Sequence, residues 1–205
     1  MGPTGPAGPA GASAESIAVI SFASQQAAHV HTNAVGIPTD TALIGYGYME
    51  YSDPYGTGAQ VAIHIDPEDG HFDLSQSVNR QLAFSLPFDM TLDSITVTAG
   101  CVGKLYPPYP ERDVAVYPYI QIYTANAGSN TFFPLPGAFA KPASGILPET
   151  ADANTLCEAH KMDLNIKLPA GTRITIGGMM ELPGDHRVRD YPLFFTGGLG
   201  MTRQS

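Results

Sequence analysis

Glycine occupies every third position from residue 2 to residue 11, in the run GPTGPAGPAGAS. Proline follows glycine in the first three of these four triplets. Only glycine fits at the crowded axis of a collagen triple helix, and proline presets the polyproline II conformation of each strand. The pattern therefore predicts a collagen-like segment over residues 1–13; an ordinary flexible Pro/Gly leader is the alternative. The axial positions would be Gly2, Gly5, Gly8 and Gly11.

A collagen triple helix requires three chains in phase, and four triplets are too few to hold three chains together alone. The trimer contacts must then come from elsewhere in the chain. We therefore expect residues 14–205 to form one globular trimerisation head, and the triplets to be the end of a longer stalk.

The composition indicates an all-β head. Charged residues make up 14% of the chain, below the usual quarter, while it contains 22 glycines and 18 prolines. This combination favours short strands, tight turns and a surface that is partly buried in an oligomer. The net charge of −9 argues against nucleic acid or an anionic membrane as a partner. No apolar run is long enough to span a bilayer.

Short apolar runs recur between turn residues, and many alternate with period two. About ten such strands and no convincing helix predict a β-sandwich of the jelly-roll kind. We expect the run 17–22 to be a strand buried on both faces, 134–137 to be a turn, and a helical turn to be allowed near 151–161. The expected core residues are Ile17, Ile20, Leu43, Phe84, Ile95, Ile122, Ile166 and Ile176.

Two groups of residues are candidate metal ligands. His29 and His31 would lie on one face of an extended segment, a spacing that zinc sites use. Asp66 and Asp69, with Glu68 and Asp73 nearby, supply oxygens suited to calcium. A solvated polar edge and an ordinary charged turn are the respective alternatives, and we expect no obligatory cofactor.

The remaining candidates argue against an enzyme. Cys101 and Cys157 are expected to be buried free thiols, with a disulfide or a reactive site as alternatives. Cys157 and His160 have no orienting partner, and the chain has no Gly-x-Ser-x-Gly motif. Tyr106 and Tyr109, flanked by prolines in a predicted loop, form a candidate recognition surface instead.

Several segments together resemble the C-terminal domain of bacterial collagen-like exosporium glycoproteins, the filament proteins of spore surfaces. They are ASGILPE, IQIYTA followed by SNTF, VISFAS, and LIGYG, at residues 143–149, 120–132, 19–24 and 43–47. The resemblance extends from about Ile17 to the end, with collagen triplets in front. The six histidines, the acidic turn and the Pro/Tyr loop depart from the family's pattern.

The resemblance implies a homotrimer of jelly rolls similar to tumour-necrosis-factor and C1q heads. It also implies a structural role, in which the head nucleates and caps a surface filament, and O-linked sugar at Thr4. The location would be the exosporium or another extracellular surface, beside other surface-layer proteins. The alternative function is an adhesive head whose tip loops contact a host protein or glycan. A metal-dependent jelly-roll enzyme of the cupin kind is a third.

Overall fold

The computed structural model describes residues 17–24, 28–32, 37–44, 63–74, 82–101, 114–147, 150–152, 154–183 and 190–204. The collagen-like segment lies outside these ranges. Secondary structure in the described ranges is β-strand throughout, apart from turns, bends and one residue of 3₁₀ character. None of them holds a helix long and apolar enough to cross a membrane.

Thirteen strands are numbered here in chain order. They are β1 (Ile17–Ala23), β2 (Ala28–His31), β3 (Asp40–Ile44), β4 (Ile63–His64), β5 (Phe72–Asp73), β6 (Phe84–Ser85), β7 (Met90–Cys101), β8 (Tyr117–Ala125), β9 (Thr131–Ala140), β10 (Leu156–Lys161), β11 (Ile166–Leu168), β12 (Arg173–Glu181) and β13 (Asp190–Arg203).

The strands form two antiparallel sheets. Sheet I has the order β1-β13-β7-β10, with β2 also beside β13 and β11 also beside β7. Sheet II has the order β4-β3-β12-β8-β9-β5, with β6 also beside β12. The longest ladder in sheet I pairs β13 with β7, from Leu193 opposite Cys101 to Arg203 opposite Met90.

The eight main strands pair in a nested order. The first pairs with the last (β1 with β13), the second with the seventh (β3 with β12), the third with the sixth (β7 with β10), and the fourth with the fifth (β8 with β9). A long antiparallel hairpin folded over into two sheets has this order, which defines a jelly roll. The predicted fold is therefore confirmed.

The main core lies between the sheets. Ile95 from sheet I and Ile122 and Ile176 from sheet II are completely buried in it, together with Phe195. These confirm part of the expected core, and Leu43 is also fully buried, although in a second cluster. Ile20, Phe84 and Ile166 are partly buried and pack against the main core.

The second cluster covers the outer face of sheet II. Leu43, Tyr123 and Met179 project from three neighbouring strands and are buried beneath Ile65, Phe72 and Leu74. The segment 63–74 thus lies over this sheet as an apolar cover. As a result, every residue of β12 from Ile174 to Met180 is buried.

The outer face of sheet I has no such cover within the described residues. In β1 the side chains of Ile17 and Val19 are 74% and 72% exposed. The prediction that this strand is buried on both faces is wrong, and Ile17 is not a core residue. The strand lies at one side of an antiparallel sheet, so only alternate residues, such as Phe22, point to the core.

Two further expectations concern local structure. The allowed helical turn is limited to the start of its region, where the N–H of Ala151 donates to the carbonyl of Leu147 at 2.9 Å. Residues 156–161 form strand β10, which pairs with β7 and buries the alternate residues Cys157 and Ala159. Residues 134–137 lie within β9 rather than in a turn between elements. The chain accommodates them by a register shift opposite β8, where the Gln121 side-chain amide donates hydrogen bonds to the carbonyls of Leu135 and Ala138 at 3.0 and 3.2 Å.

Candidate functional site

The outer face of sheet I, where β1, β13 and β7 lie side by side, consists mainly of small residues. Three cross-strand rows join Val19 to Gly200 and Ser94, Ser21 to Gly198 and Thr96, and Ala23 to Thr196 and Thr98. An ideal Cβ built at Gly198 would meet no atom closer than 3.7 Å, so this face is open. Charge is confined to its margins, where Thr202 donates to the Asp93 carboxylate and Glu158 of β10 follows Thr98. A broad face of small residues with exposed Ile17 and Val19 is suited to close contact with another protein.

A second apolar surface lies where strands β9 and β10 run along the same side of the sandwich; we call it the β9–β10 edge. Phe139 and Met162 are 42% and 60% exposed there, whereas Leu156, 53% exposed, lies beside Phe194 and Gly100 on the outer face of sheet I. The ammonium group of Lys161 lies 6.0 Å from the centroid of the Phe139 ring, which links the two strands across the edge. The described residues therefore present two surfaces with exposed apolar side chains: the outer face of sheet I and the β9–β10 edge.

The acidic turn brings together three groups that could ligate a metal. One ligand atom from each of Asp66, Asp69 and His71 lies within 4.8 Å of the others. The backbone N–H groups of Glu68 and His71 donate to Asp66 and Asp69 at 2.8 and 3.1 Å. Gly70 allows the turn to close, because its φ of +75° is one that other residues rarely adopt.

His71 is the residue of this turn that sequence reasoning missed. Its Nδ1 lies 2.6 Å from a carboxylate oxygen of Asp69, and its ring stacks on Phe133 at 5.4 Å. The hydrogen bond to Asp69 raises the pKa of His71 and lowers the pKa of Asp69. The only signal in the sequence was the position of a histidine two residues after an aspartate in a turn.

The metal expectation has different outcomes for its two groups of residues. Asp66 and Asp69 are adjacent as predicted, whereas Glu68 contributes a backbone donor and Asp73 lies in the following strand β5. His29 and His31 lie in strand β2, opposite Pro192 and Asp190 of β13. The internal hydrogen bonds at 66–71 are also those of an ordinary charged turn, so bound metal remains a prediction.

The two cysteines are buried free thiols, as expected. Cys157 is opposite Ala99 in the ladder, so Cys101 lies a diagonal step further along the neighbouring strand. Burial raises the pKa of the Cys157 thiol to about 11, which keeps it protonated and unreactive at neutral pH. His160 lies three residues along the same extended strand with its side chain exposed, so the two do not form a nucleophile–base pair.

The other predicted site residues lie outside the described ranges. They are the four axial glycines Gly2, Gly5, Gly8 and Gly11, the sugar acceptor Thr4, and the recognition candidates Tyr106 and Tyr109. The surfaces described above therefore come from the head alone.

Comparison with known proteins gives a weak likeness among solved structures. No protein-family model matches the chain, and no curated protein matches it. Among solved structures, the chain is similar to one titled "Structure of Eiger TNF from S. frugiperda", with 10% sequence identity and a TM-score of 0.30. The alignment covers 88% of this chain and 94% of that one. The jelly-roll assignment rests on the strand order and register described above.

Proposed function

We propose that this protein is the homotrimeric head of a collagen-like surface filament, and that the head brings three stalks into register and caps them. One observation carries the proposal: the uncovered face of sheet I contains β1, the strand that follows the collagen triplets in the chain. A collagen-like segment requires two further chains, and in this sequence it is followed directly by a strand of the uncovered face of sheet I. Ile17 and Val19, on that strand, are its most exposed side chains.

The two apolar surfaces suggest how three copies associate. A contact between two different surfaces is heterologous, and such contacts close into a ring when the rotation between copies is suitable. In this arrangement the β9–β10 edge of one copy packs on the outer face of sheet I of the next. Each copy then covers one neighbour and is covered by the other, so both of these surfaces are buried.

A trimeric head would help the stalk to fold. Registering three chains is entropically costly, and four triplets give little free energy in return. Holding three tails by a common head raises their local concentration to the millimolar range expected of short tethers. The tails then wind as one cooperative unit.

The location and decoration of the filament follow from the family resemblance. We propose a spore surface or another extracellular surface, with O-linked sugar on Thr4 and other surface-layer proteins as neighbours. An adhesive role toward a host protein or glycan is the alternative, and it depends on loops such as the one holding Tyr106 and Tyr109.

The proposal is tested by extending the stalk. We expect a chain with additional triplets of the same sequence to show the circular dichroism of a collagen helix when the head is attached. Deletion of the head should abolish that signal or slow its recovery after melting. An isolated stalk that refolds as quickly and melts at the same temperature would contradict a nucleating function.

A further inference from the structure

An apolar groove lies at the end of the sandwich where β1 begins and β13 ends; we call it the base groove. Its volume is about 370 Å³. Its lining includes Ile17, Ile20 and Leu86 together with the rings of Phe84 and Phe88. Phe88 is 46% exposed, although most phenylalanine side chains in a folded domain are buried.

Arg203 supplies the charge of the groove. Its guanidinium lies 3.8 Å from the centroid of the Phe88 ring, and none of the groove's other lining residues is charged. A guanidinium stacked on an aromatic ring still presents N–H groups at its edge, and these can hold a carboxylate. Within the described residues, no ion pair is formed by Arg203. The groove is therefore suited to a segment of small residues that carries one negative charge.

We propose that the base groove seats the junction segment, residues 12–16, of this same chain, with Glu15 paired to Arg203. The first described residue, Ile17, is itself part of the groove lining, so residue 16 is bonded directly to a residue of the groove. The junction has the sequence ASAES: small residues and one carboxylate, which lies two positions before Ile17. Continuity along the chain and complementary charge thus both support this occupant.

This inference rests on the proposed function, because it concerns how the head holds the start of the stalk. A seated junction would let each head set the direction in which its tail leaves. The three tails of a trimer would then leave the heads in one geometry. A junction that is not bound in the groove would connect the head to the stalk without fixing the direction of the stalk.

The test is protease protection at Glu15 in the full chain. A glutamate-specific protease cleaves after Glu15, and loss of residues 1–15 is followed by intact mass. We expect cleavage about tenfold slower than in a free peptide of residues 1–22, because a seated segment must first leave the groove. Phe88→Ala and Arg203→Gln should each remove most of this protection.

A matched control lies elsewhere on the head. Phe133 is 47% exposed, so Phe133→Ala removes a comparably exposed ring away from the groove and away from both proposed trimer contacts. It should not alter cleavage at Glu15. Equal effects from the control and groove variants would overturn the proposal, as would a wild-type chain cleaved as fast as the peptide.

Light scattering on the same samples separates this inference from the trimer. A trimer whose Glu15 is unprotected would overturn the junction seat and leave the trimer intact. A monomer whose protection depends on Phe88 and Arg203 would support the seat and contradict the trimer. If Phe88→Ala instead lowers the association state, the groove holds a second copy and the proposed occupant is wrong.

Discussion

The two sheets of this jelly roll differ in what covers their outer faces. Sheet II is buried on both sides, since the main core lies beneath it and the segment 63–74 lies above it. Sheet I is buried on one side only, and its other side carries exposed Ile17 and Val19 among small residues that are mostly uncharged. The chain thus supplies a cover for one sheet and none, within the described residues, for the other.

This difference bears on assembly. An antiparallel sheet that faces water on one side usually places polar residues there. Sheet I instead places serine, threonine, glycine and alanine there, with the exposed side chains of Ile17 and Val19 at one end. A face of small residues with two exposed β-branched side chains fits a surface that another copy covers. The predictions below test this difference between the outer faces of the two sheets.

The largest effect is expected from a charge on the open face. Val19→Asp should weaken self-association at least about 100-fold, because a trimer would have to bury an unpaired carboxylate. The fold should survive, since Val19 is 72% exposed in the single chain. Sedimentation velocity measures the association, with Ile37→Asp as control because Ile37 is also exposed, at 57%, but lies before β3. Equal association in the wild type and in Val19→Asp would contradict the assignment of this face.

A pair of isoleucines compares the two sheets directly. Ile176→Ala should cost about 2–5 kcal/mol of unfolding free energy, because it leaves a cavity between the sheets. Ile17→Ala, made in the monomeric Val19→Asp background, should cost less than about 0.5 kcal/mol. Urea unfolding of both variants in that background gives the two values. A large loss at Ile17 would mean that this face is already covered within one chain.

A pair of glycines makes the same comparison with one added methyl group. An ideal Cβ at Gly177, on the outer face of sheet II, would lie 2.1 Å from Thr41 Oγ1 and 2.8 Å from the Tyr123 ring. Gly177→Ala should therefore destabilise the fold by about 1–3 kcal/mol. Gly198→Ala, on the open face, should change the unfolding free energy of the monomer by less than about 0.5 kcal/mol. Thermal unfolding of the two variants tests the contrast, and similar losses would contradict it.

The smallest effect concerns the turn that helps to cover sheet II. Asp69→Asn should lower the pKa of His71 toward its ordinary value, because it removes the carboxylate that stabilises the imidazolium. The pair contributes to stability only while both charges are present. The contribution is lost as the pH rises through the raised pKa of His71, and as it falls through the lowered pKa of Asp69. NMR titration measures the His71 pKa, with Asp163→Asn as control; an unchanged value in Asp69→Asn would exclude the pair.

The fold could be predicted because alternation and turn chemistry are local signals. Strands β7 and β12 alternate or run continuously in ways that only a sheet accommodates, and the turns between them are rich in glycine and proline. Strand β10 was missed because its residues Glu158, Ala159 and Lys161 also favour helices, and its pairing with β7 decided the outcome.

The exposure of Ile17 could not be predicted for a different reason. Apolar residues in a strand indicate burial, but they do not indicate whether the cover comes from the same chain or from another. The candidate site at 66–71 was predicted only in part. Asp66 and Asp69 could be identified from the acidic turn in the sequence. His71 joins them because the turn at Gly70, with its positive φ, brings the imidazole beside Asp69.

The mass of the head in solution tests the central claim most directly. Multi-angle light scattering of the full chain should give about 65 kDa, three times the 21.7 kDa of one copy. A chain that starts at residue 14 should remain a trimer at micromolar concentration, because the contacts that we propose all lie in the head. A monomeric mass for that shortened chain would contradict the account, since the uncovered face of sheet I would then have no partner.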